Sequence, residues 1–120
     1  MGIFNRSKKP KLKVIEKLSD EREGDRAILK QLAALGDNHS NVRPVRHYFY
    51  FETVEGLELF LNHSRISGAE KEQTASGIGI IVILESSMEE KDILAQVDEV
   101  RLLATNYGGE YDGWETMVVV

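Results

Sequence analysis

The chain has 120 residues, of which 42% are apolar and 29% charged, with ten glycines, two prolines and no cysteine. This composition is typical of one soluble globular domain that can form a hydrophobic core, and it excludes disulfides, thiolate nucleophiles and cysteine-ligated metals. No apolar run is long enough to span a membrane and no secretory signal is recognisable, so we expect a cytoplasmic protein without stable membrane association.

Charge is distributed unevenly along the chain. Residues 1–14 hold five basic and no acidic side chains, so their net charge is +5. Because the net charge of the whole chain is −5, the remaining residues carry −10. Because a strongly negative domain repels phosphate backbones, we expect no direct specific binding of nucleic acid. We predict a flexible basic leader at residues 1–14, with weak contact to a polyanion or membrane as the alternative, and a single domain at residues 15–120.

The first predicted element is a helix near the start of the domain. Its apolar side chains recur at i, i+4 and i+7, namely Ile28, Leu32 and Leu35. Asp25 is predicted to cap the start of this helix, and Gly36 is suited to the left-handed conformation that ends one. A turn-rich loop is then predicted at residues 36–41.

An aromatic strand is predicted from Val45 to Phe51, with Pro44 at its entry because proline has no N–H to donate. Side chains alternate between the two faces of a strand. One face is predicted to carry Val45, His47, Phe49 and Phe51. The other face is predicted to carry Arg46, Tyr48 and Tyr50.

The next predicted elements are a second helix, a loop or weak edge strand, and a central strand. Thr53 can cap the helix, which is expected to continue to Gly68. Its apolar stripe is predicted to consist of Val54, Leu57, Phe60, Leu61 and Ser64. The polar segment Ala69–Ser76 indicates a loop or a weak edge strand, whereas the aliphatic run Ile78–Leu84 is typical of a central strand.

The last helix has the clearest periodicity in the chain. Ser87 and Glu90 are spaced as a capping box at its start, and Gly108–Gly109 is predicted to end it. Its core stripe is predicted to consist of Ile93, Val97, Val100, Ala104 and Tyr107. After a turn, a final strand is predicted from Trp114 to Val120.

The order of these elements predicts the fold class. Without the first helix the order is βαββαβ, which indicates an α+β fold of the ferredoxin-like type, with two helices on one face of a four-stranded antiparallel sheet. The extra N-terminal helix either covers the other face or leaves it open.

The densest cluster of chemically distinctive side chains is YGGEYDGWET at residues 107–116. Three carboxylates within six residues suit a hard cation or acid–base catalysis, but they lack the spacing of a calcium-binding loop. A second interpretation is a structured turn in which Trp114 fixes a strand end. A third is a recognition patch whose rings supply rigid contact area and whose acids match a basic partner.

No combination of His39, His47 and His63 has the spacing of metal ligands. His47 alternates with Val45 and Phe49, so its side chain is predicted to point inward. A hydrogen-bonded core histidine is therefore favoured over a catalytic base, since no serine or cysteine motif marks a nucleophile.

An enzyme or metal protein that uses His47 with Glu110 and Asp112 is the alternative hypothesis. No glycine-rich phosphate loop is present, and we expect no cofactor and no bound metal. Arg43 is predicted from charge alone to pair with Asp37 or Glu110.

Two segments resemble a known family. Residues 36–51, GDNHSNVRPVRHYFYF, resemble the G-D-x-x-S-x-x-R-x-V-x-H-[WY]-x-Y-F segment of the regulator of ribonuclease E activity B (RraB) family. Residues 108–116, GGEYDGWET, resemble that family's G-G-E-Y-D-G-W-E-T motif at every position. The matching order of elements extends the resemblance over residues 20–120 and leaves the leader outside it.

The resemblance implies a ferredoxin-like, non-enzymatic domain that binds ribonuclease E or a related RNA-degradation component and inhibits endonuclease activity. An immunity-type or other interaction domain of the same fold is the alternative, and the oligomeric state is left open. The predicted partner-binding residues are Arg43, His47, Tyr48, Glu110, Tyr111, Asp112, Trp114 and Glu115.

Overall fold

The computed structural model describes residues 21–74 and 78–120, so the predicted leader at residues 1–14 lies outside the described residues. The elements are α1 (Glu21–Ala34), β1 (Arg43–Phe51), α2 (Val54–Asn62), α3 (Ser64–Ser67), β2 (Glu70–Gln73), β3 (Gly79–Ser86), α4 (Glu90–Asn106) and β4 (Gly109–Thr116). Within these two ranges, no helix combines the length and apolarity that a membrane span requires.

The strands form one four-stranded sheet in the order β2-β3-β1-β4, and every neighbouring pair is antiparallel. This confirms the predicted α+β fold class with an additional N-terminal helix. The interior positions of β1 and β3 explain their aromatic and aliphatic sequences, since both strands are flanked by other strands. The polar segment after α3 forms the short edge strand β2, which is one of the two alternatives predicted for it.

The helices pack on one face of the sheet through two apolar clusters. The first cluster joins α1 and α4 to the sheet and consists of Ile28, Leu29, Leu32, Val45, Met88, Ile93, Leu94, Val97 and Trp114. The second joins α2, α3 and α4 to the sheet and consists of Phe49, Phe51, Phe60, Ile66, Ile80, Val82, Leu84, Val100 and Ala104. The first helix therefore lies beside α4, on the same face, and does not cover the opposite face.

The predicted start of the first helix is wrong, whereas its end is confirmed. α1 begins at Glu21, and Asp25 lies inside it, where its Oδ1 accepts the indole N–H of Trp114 at 3.0 Å. Asp25 is therefore not a cap, because its carboxylate is used in a tertiary contact. Gly36 has a φ of 86°, the left-handed conformation predicted for it.

The second predicted helix is two helices. Thr53 caps α2 as predicted, since its Oγ1 accepts the N–H of Gly56 at 2.9 Å. The helix ends at Asn62 because His63 is extended, and His63 then caps the short α3. Val54 and Ser64 are exposed, so the predicted apolar stripe is wrong at its two ends.

The predicted capping box of α4 is also wrong. Glu89 is the N-cap and makes no side-chain cap bond. The Ser87 hydroxyl accepts the N–H of Glu89 at 3.1 Å and donates to Asp92 at 2.9 Å, while the carboxylate of Glu90 accepts from Arg26 of α1 at 2.8 Å. The predicted core stripe of α4 is buried from Ile93 to Ala104.

The last strand differs most from its prediction, because it spans Gly109–Thr116 instead of Trp114–Val120. The residues predicted as a turn therefore belong to the strand. A β-bulge lets them pair with β1: Gly113 is opposite Tyr48 and Tyr111 is opposite Phe49, so Asp112 is the additional residue. Gly113 has a φ of 113°, which favours glycine at this bulge.

Candidate functional site

The aromatic rings of the 107–116 cluster lie mainly inside the domain. Trp114 is 1% exposed and packs in the first apolar cluster. The ring centroids of Tyr111 and Phe49 are 5.3 Å apart. The guanidinium carbon of Arg101 lies over the Tyr111 ring, 4.9 Å from its centroid. These two rings of the cluster therefore pack against other parts of the fold and stabilise it.

His47 is a fully buried member of a hydrogen-bond chain. Its Nε2 lies 2.8 Å from Oε1 of Gln96, whose amide group donates to the carbonyl of Glu85, and its Nδ1 lies 2.8 Å from the Tyr111 hydroxyl. Gln96 therefore accepts from Nε2–H, which leaves Nδ1 to accept from the tyrosine. Burial lowers the pKa of His47 to about 4, despite the bond to Gln96, and the charge of Arg65 lowers it further.

We expect His47 to remain neutral until the pH approaches 4. In the unfolded chain His47 binds its proton from about pH 6.5 downward. The free energy of unfolding therefore falls by about 3 kcal/mol as the pH falls from 6.5 through 4, and this contribution is fully present above pH 6.5. An NMR titration of the imidazole should give a midpoint near pH 4 and the Nε2–H tautomer at pH 7. A midpoint near pH 6.5 would contradict the buried network.

Arg43 forms a buried ion pair with Asp37, one of the two partners predicted for it. Its Nη1 and Nη2 donate to the two carboxylate oxygens at 3.0 and 3.2 Å. Burial alone would raise the pKa of Asp37, but bonds from Arg43, the Val119 amide and His39 outweigh burial and lower it. Glu110 is not the partner, because it lies opposite Tyr50 in the sheet.

The face of the sheet opposite the helices carries mostly negative charge. Strand register places Glu70, Ile83, Arg46 and Glu115 in one row across the four strands, and Glu72, Ile81, Tyr48 and Gly113 in the next. Glu110 and Glu85 extend this surface along β4 and β3. We call the surface formed by Arg46, Glu70, Glu72, Glu85, Glu110 and Glu115 the acidic face.

Arg46 lies at the centre of the acidic face and joins its two edges. It donates to both carboxylate oxygens of Glu72, at 2.5 and 3.1 Å, and its Nε lies 3.3 Å from Glu115. The Tyr48 hydroxyl donates to the same Glu115 carboxylate at 2.8 Å. Burial and the Glu115 charge raise the pKa of Tyr48 above its usual value, although Arg46 opposes this, so the hydroxyl remains protonated.

The predicted site residues thus fall into two groups. The side chains of Arg43, His47 and Trp114 are buried, whereas Tyr111 is partly buried and bonded to His47 through its hydroxyl. Glu110 and Glu115 lie on the acidic face together with Tyr48, and Asp112 lies at the bulge. The role of all eight residues as partner contacts stays a prediction.

The alternative constellation of His47 with Glu110 and Asp112 does not form. His47 points to the helix side, whereas Glu110 belongs to the acidic face. Among the residues that the structure describes, no three histidine or acidic side chains are arranged to hold a metal ion.

Sequence reasoning missed the central residue of the acidic face, Arg46, and the acids Glu70 and Glu72. The alternation of β1 did place Arg46 with Tyr48 on one face. Arg46 of β1 pairs with Glu72 of β2 across β3, which lies between their strands. No local pattern in the sequence predicts such a contact.

Comparison with known proteins identifies similar sequences over nearly the whole described region. A family model described as Regulator of ribonuclease activity B matches residues 22–116. Proteins with that same name are similar in Salmonella typhi (29% identity, 84% of this chain and 79% of the relative), Xenorhabdus nematophila (30%, 82% and 76%) and Escherichia coli strain K12 (27%, 84% and 79%).

Proposed function

Because this chain belongs to the Regulator of ribonuclease activity B family, we propose that it regulates a ribonuclease by binding it as a protein partner, without catalysing a reaction itself. We propose ribonuclease E, or another component of the same RNA-degrading machinery, as that partner. Binding would lower cleavage by occupying basic surface that RNA also needs.

The acidic face is the observation that carries this proposal. It presents five carboxylates and one guanidinium on a surface that no described helix covers. Proteins that bind RNA neutralise its phosphates with lysine and arginine. A surface rich in carboxylates is complementary to such a region, and complementary charge raises both the association rate and the specificity of docking.

The environment of His47 supports a non-enzymatic role. A general base must reach the proton that it abstracts, directly or through one water. His47 is fully buried, and both of its ring nitrogens already have protein partners, Gln96 and Tyr111. The histidine that the enzyme hypothesis requires therefore serves the core.

Reversing two exposed charges on the acidic face should weaken partner binding. We expect Glu70→Lys combined with Glu110→Lys to reduce affinity for ribonuclease E by about tenfold or more, because like charges would then face each other across the interface. Surface plasmon resonance measures the affinity, and cleavage of a labelled RNA by ribonuclease E measures the inhibition.

The matched control is Glu55→Lys combined with Glu58→Lys on α2. Both glutamates are exposed, the change in net charge is identical, and α2 lies on the other side of the sheet. Similar melting temperatures for the two variants would show that both are folded. Equal losses of affinity in both would mean that only net charge matters, and unchanged binding in the first variant would refute docking through the acidic face.

A further inference from the structure

The centre of the acidic face is more enclosed than a bare sheet surface. Ile81 and Tyr48 lie next to each other in its second row and are 6% and 7% exposed. Neither residue belongs to the two clusters that contain the helix side chains. The face therefore combines an apolar, shielded centre with a rim of carboxylates, which suits a segment that offers both apolar and basic side chains.

Some carboxylates of the rim form no ion pair with another described residue. Arg46 is shared between Glu72 and Glu115. In residues 21–74 and 78–120, no basic side chain is paired with Glu70, Glu85 or Glu110 on the same face. Three negative charges of this surface can therefore still accept a cation.

The N-terminal segment of this chain has the matching chemistry. Residues 1–14 carry no acidic residue, and their basic side chains are Arg6, Lys8, Lys9, Lys11 and Lys13. Apolar side chains lie before the charges at Ile3 and Phe4, between the last two lysines at Leu12, and after them at Val14.

The length of the chain permits contact with the acidic face. Twenty residues precede Glu21, and they can reach at most about 70 Å when extended. The longest dimension of the molecule is 41 Å. We propose that residues 1–14 bind the acidic face of their own chain and thereby compete with the protein partner for it.

The binding in cis stands on its own, whereas the competition rests on the proposed function. A tethered segment has an effective concentration of about 1 mM, so even a segment whose dissociation constant is about 1 mM would occupy the face about half of the time. Removing this competition would raise partner affinity about two- to tenfold, and the effect would shrink as salt screens the charges.

The test compares the full chain with a full-length variant in which Lys8, Lys9, Lys11 and Lys13 are each replaced by Gln. Amide chemical shifts in NMR spectra at low salt should differ at β1, β2 and β4 residues of the acidic face. A control with Lys30→Gln and Lys91→Gln, two exposed positions on α1 and α4, should leave those amides unchanged. Adding a synthetic peptide of residues 1–14 to the neutralised variant should shift the same amides back.

The outcomes separate this inference from the proposed function. Shifts that are absent, or confined to residues next to Glu21, would overturn binding in cis and leave the glutamate variants of the preceding section as the test of partner docking. Shifts on the acidic face together with a two- to tenfold gain in ribonuclease E affinity would support both. Shifts without any gain would support binding in cis but overturn the competition, and would place the partner on another surface.

Discussion

Replacing Trp114 with alanine is expected to lower the free energy of unfolding by about 3–5 kcal/mol, a large part of the about 6–18 kcal/mol expected for a domain of this length. The indole is 1% exposed and packs between α1, α4 and the sheet, so its removal leaves a cavity that three elements share. It also removes the donor bound to Asp25, whose carboxylate is buried in α1. Urea unfolding followed by far-ultraviolet circular dichroism measures the loss.

Two variants separate the hydrogen bond and the carboxylate charge from the packing of the ring. Trp114→Phe keeps most of the ring contacts but removes the N–H, whereas Asp25→Asn keeps an acceptor for it. Burial raises the pKa of Asp25 even though Trp114, Arg101 and Arg22 all lower it, so the carboxylate charge is poorly compensated. Asp25→Asn should therefore lower the free energy of unfolding much less than Trp114→Ala does. A loss below about 1 kcal/mol for Trp114→Ala would contradict the packing of the indole between α1, α4 and the sheet.

The Trp114 result also bears on the partner. Because Trp114 supports the core, a binding defect in Trp114→Ala would report partial unfolding and would not identify a contact residue. Substitutions at exposed positions of the acidic face, such as Glu70 and Glu110, avoid this ambiguity.

The elements that were predicted best are those whose patterns are local and repeated. The alternation of β1 placed His47 inside, and the helical spacing from Ile93 to Ala104 placed the buried stripe of α4. In both cases the side chains of one element meet one apolar layer, so the period of the element itself carries the information.

The errors arose where a side chain bonds to a residue distant in sequence. Asp25 has the chemistry of a helix cap, but it contacts Trp114, which is 89 residues away. Glu90 has the spacing of a capping box, but it contacts Arg26, which is 64 residues away. In both places a tertiary contact replaced a local one, which the sequence pattern alone does not reveal.

The start of β4 was missed for a related reason. Glycine and acidic residues at positions 109–113 are typical of turns. They form a strand here because β1 supplies a hydrogen-bonding edge, and because the bulge at Asp112 keeps Tyr111 and Trp114 on the helix side. The same pairing turns Glu110 and Glu115 to the acidic face, so the position of these two acids follows from the strand that the sequence pattern did not reveal.

The buried pair of Arg43 and Asp37 provides the second large expected effect. The two side chains are 2% and 0% exposed, and the guanidinium uses all five of its N–H groups. Two of them bind Asp37, and the others donate to the carbonyls of Asn38, Asn41 and Met117 at 2.9–3.1 Å. Arg43 thus joins the loop after α1 to the segment after β4.

Arg43→Met should lower the free energy of unfolding by about 3–5 kcal/mol, because it leaves a buried carboxylate without its cation. Arg43→Lys keeps the charge but has only three donors at one point, so it should recover less than half of the loss. Urea unfolding at pH 7 measures both, and full recovery by lysine would show that charge alone matters.

The pH dependence and the local dynamics of this pair provide independent evidence. Folding lowers the pKa of Asp37 below its ordinary value of 3.8. The contribution of Asp37 to the free energy of unfolding is therefore present above pH 3.8 and is lost as the pH falls through the lower pKa of the folded state. The amide of Val119 donates to Asp37 at 2.7 Å, so this amide should exchange with solvent faster in Arg43→Met than in the wild type. Unchanged exchange at Val119, with an otherwise destabilised domain, would mean that the pair stabilises the loop at residues 36–41 without holding the segment after β4.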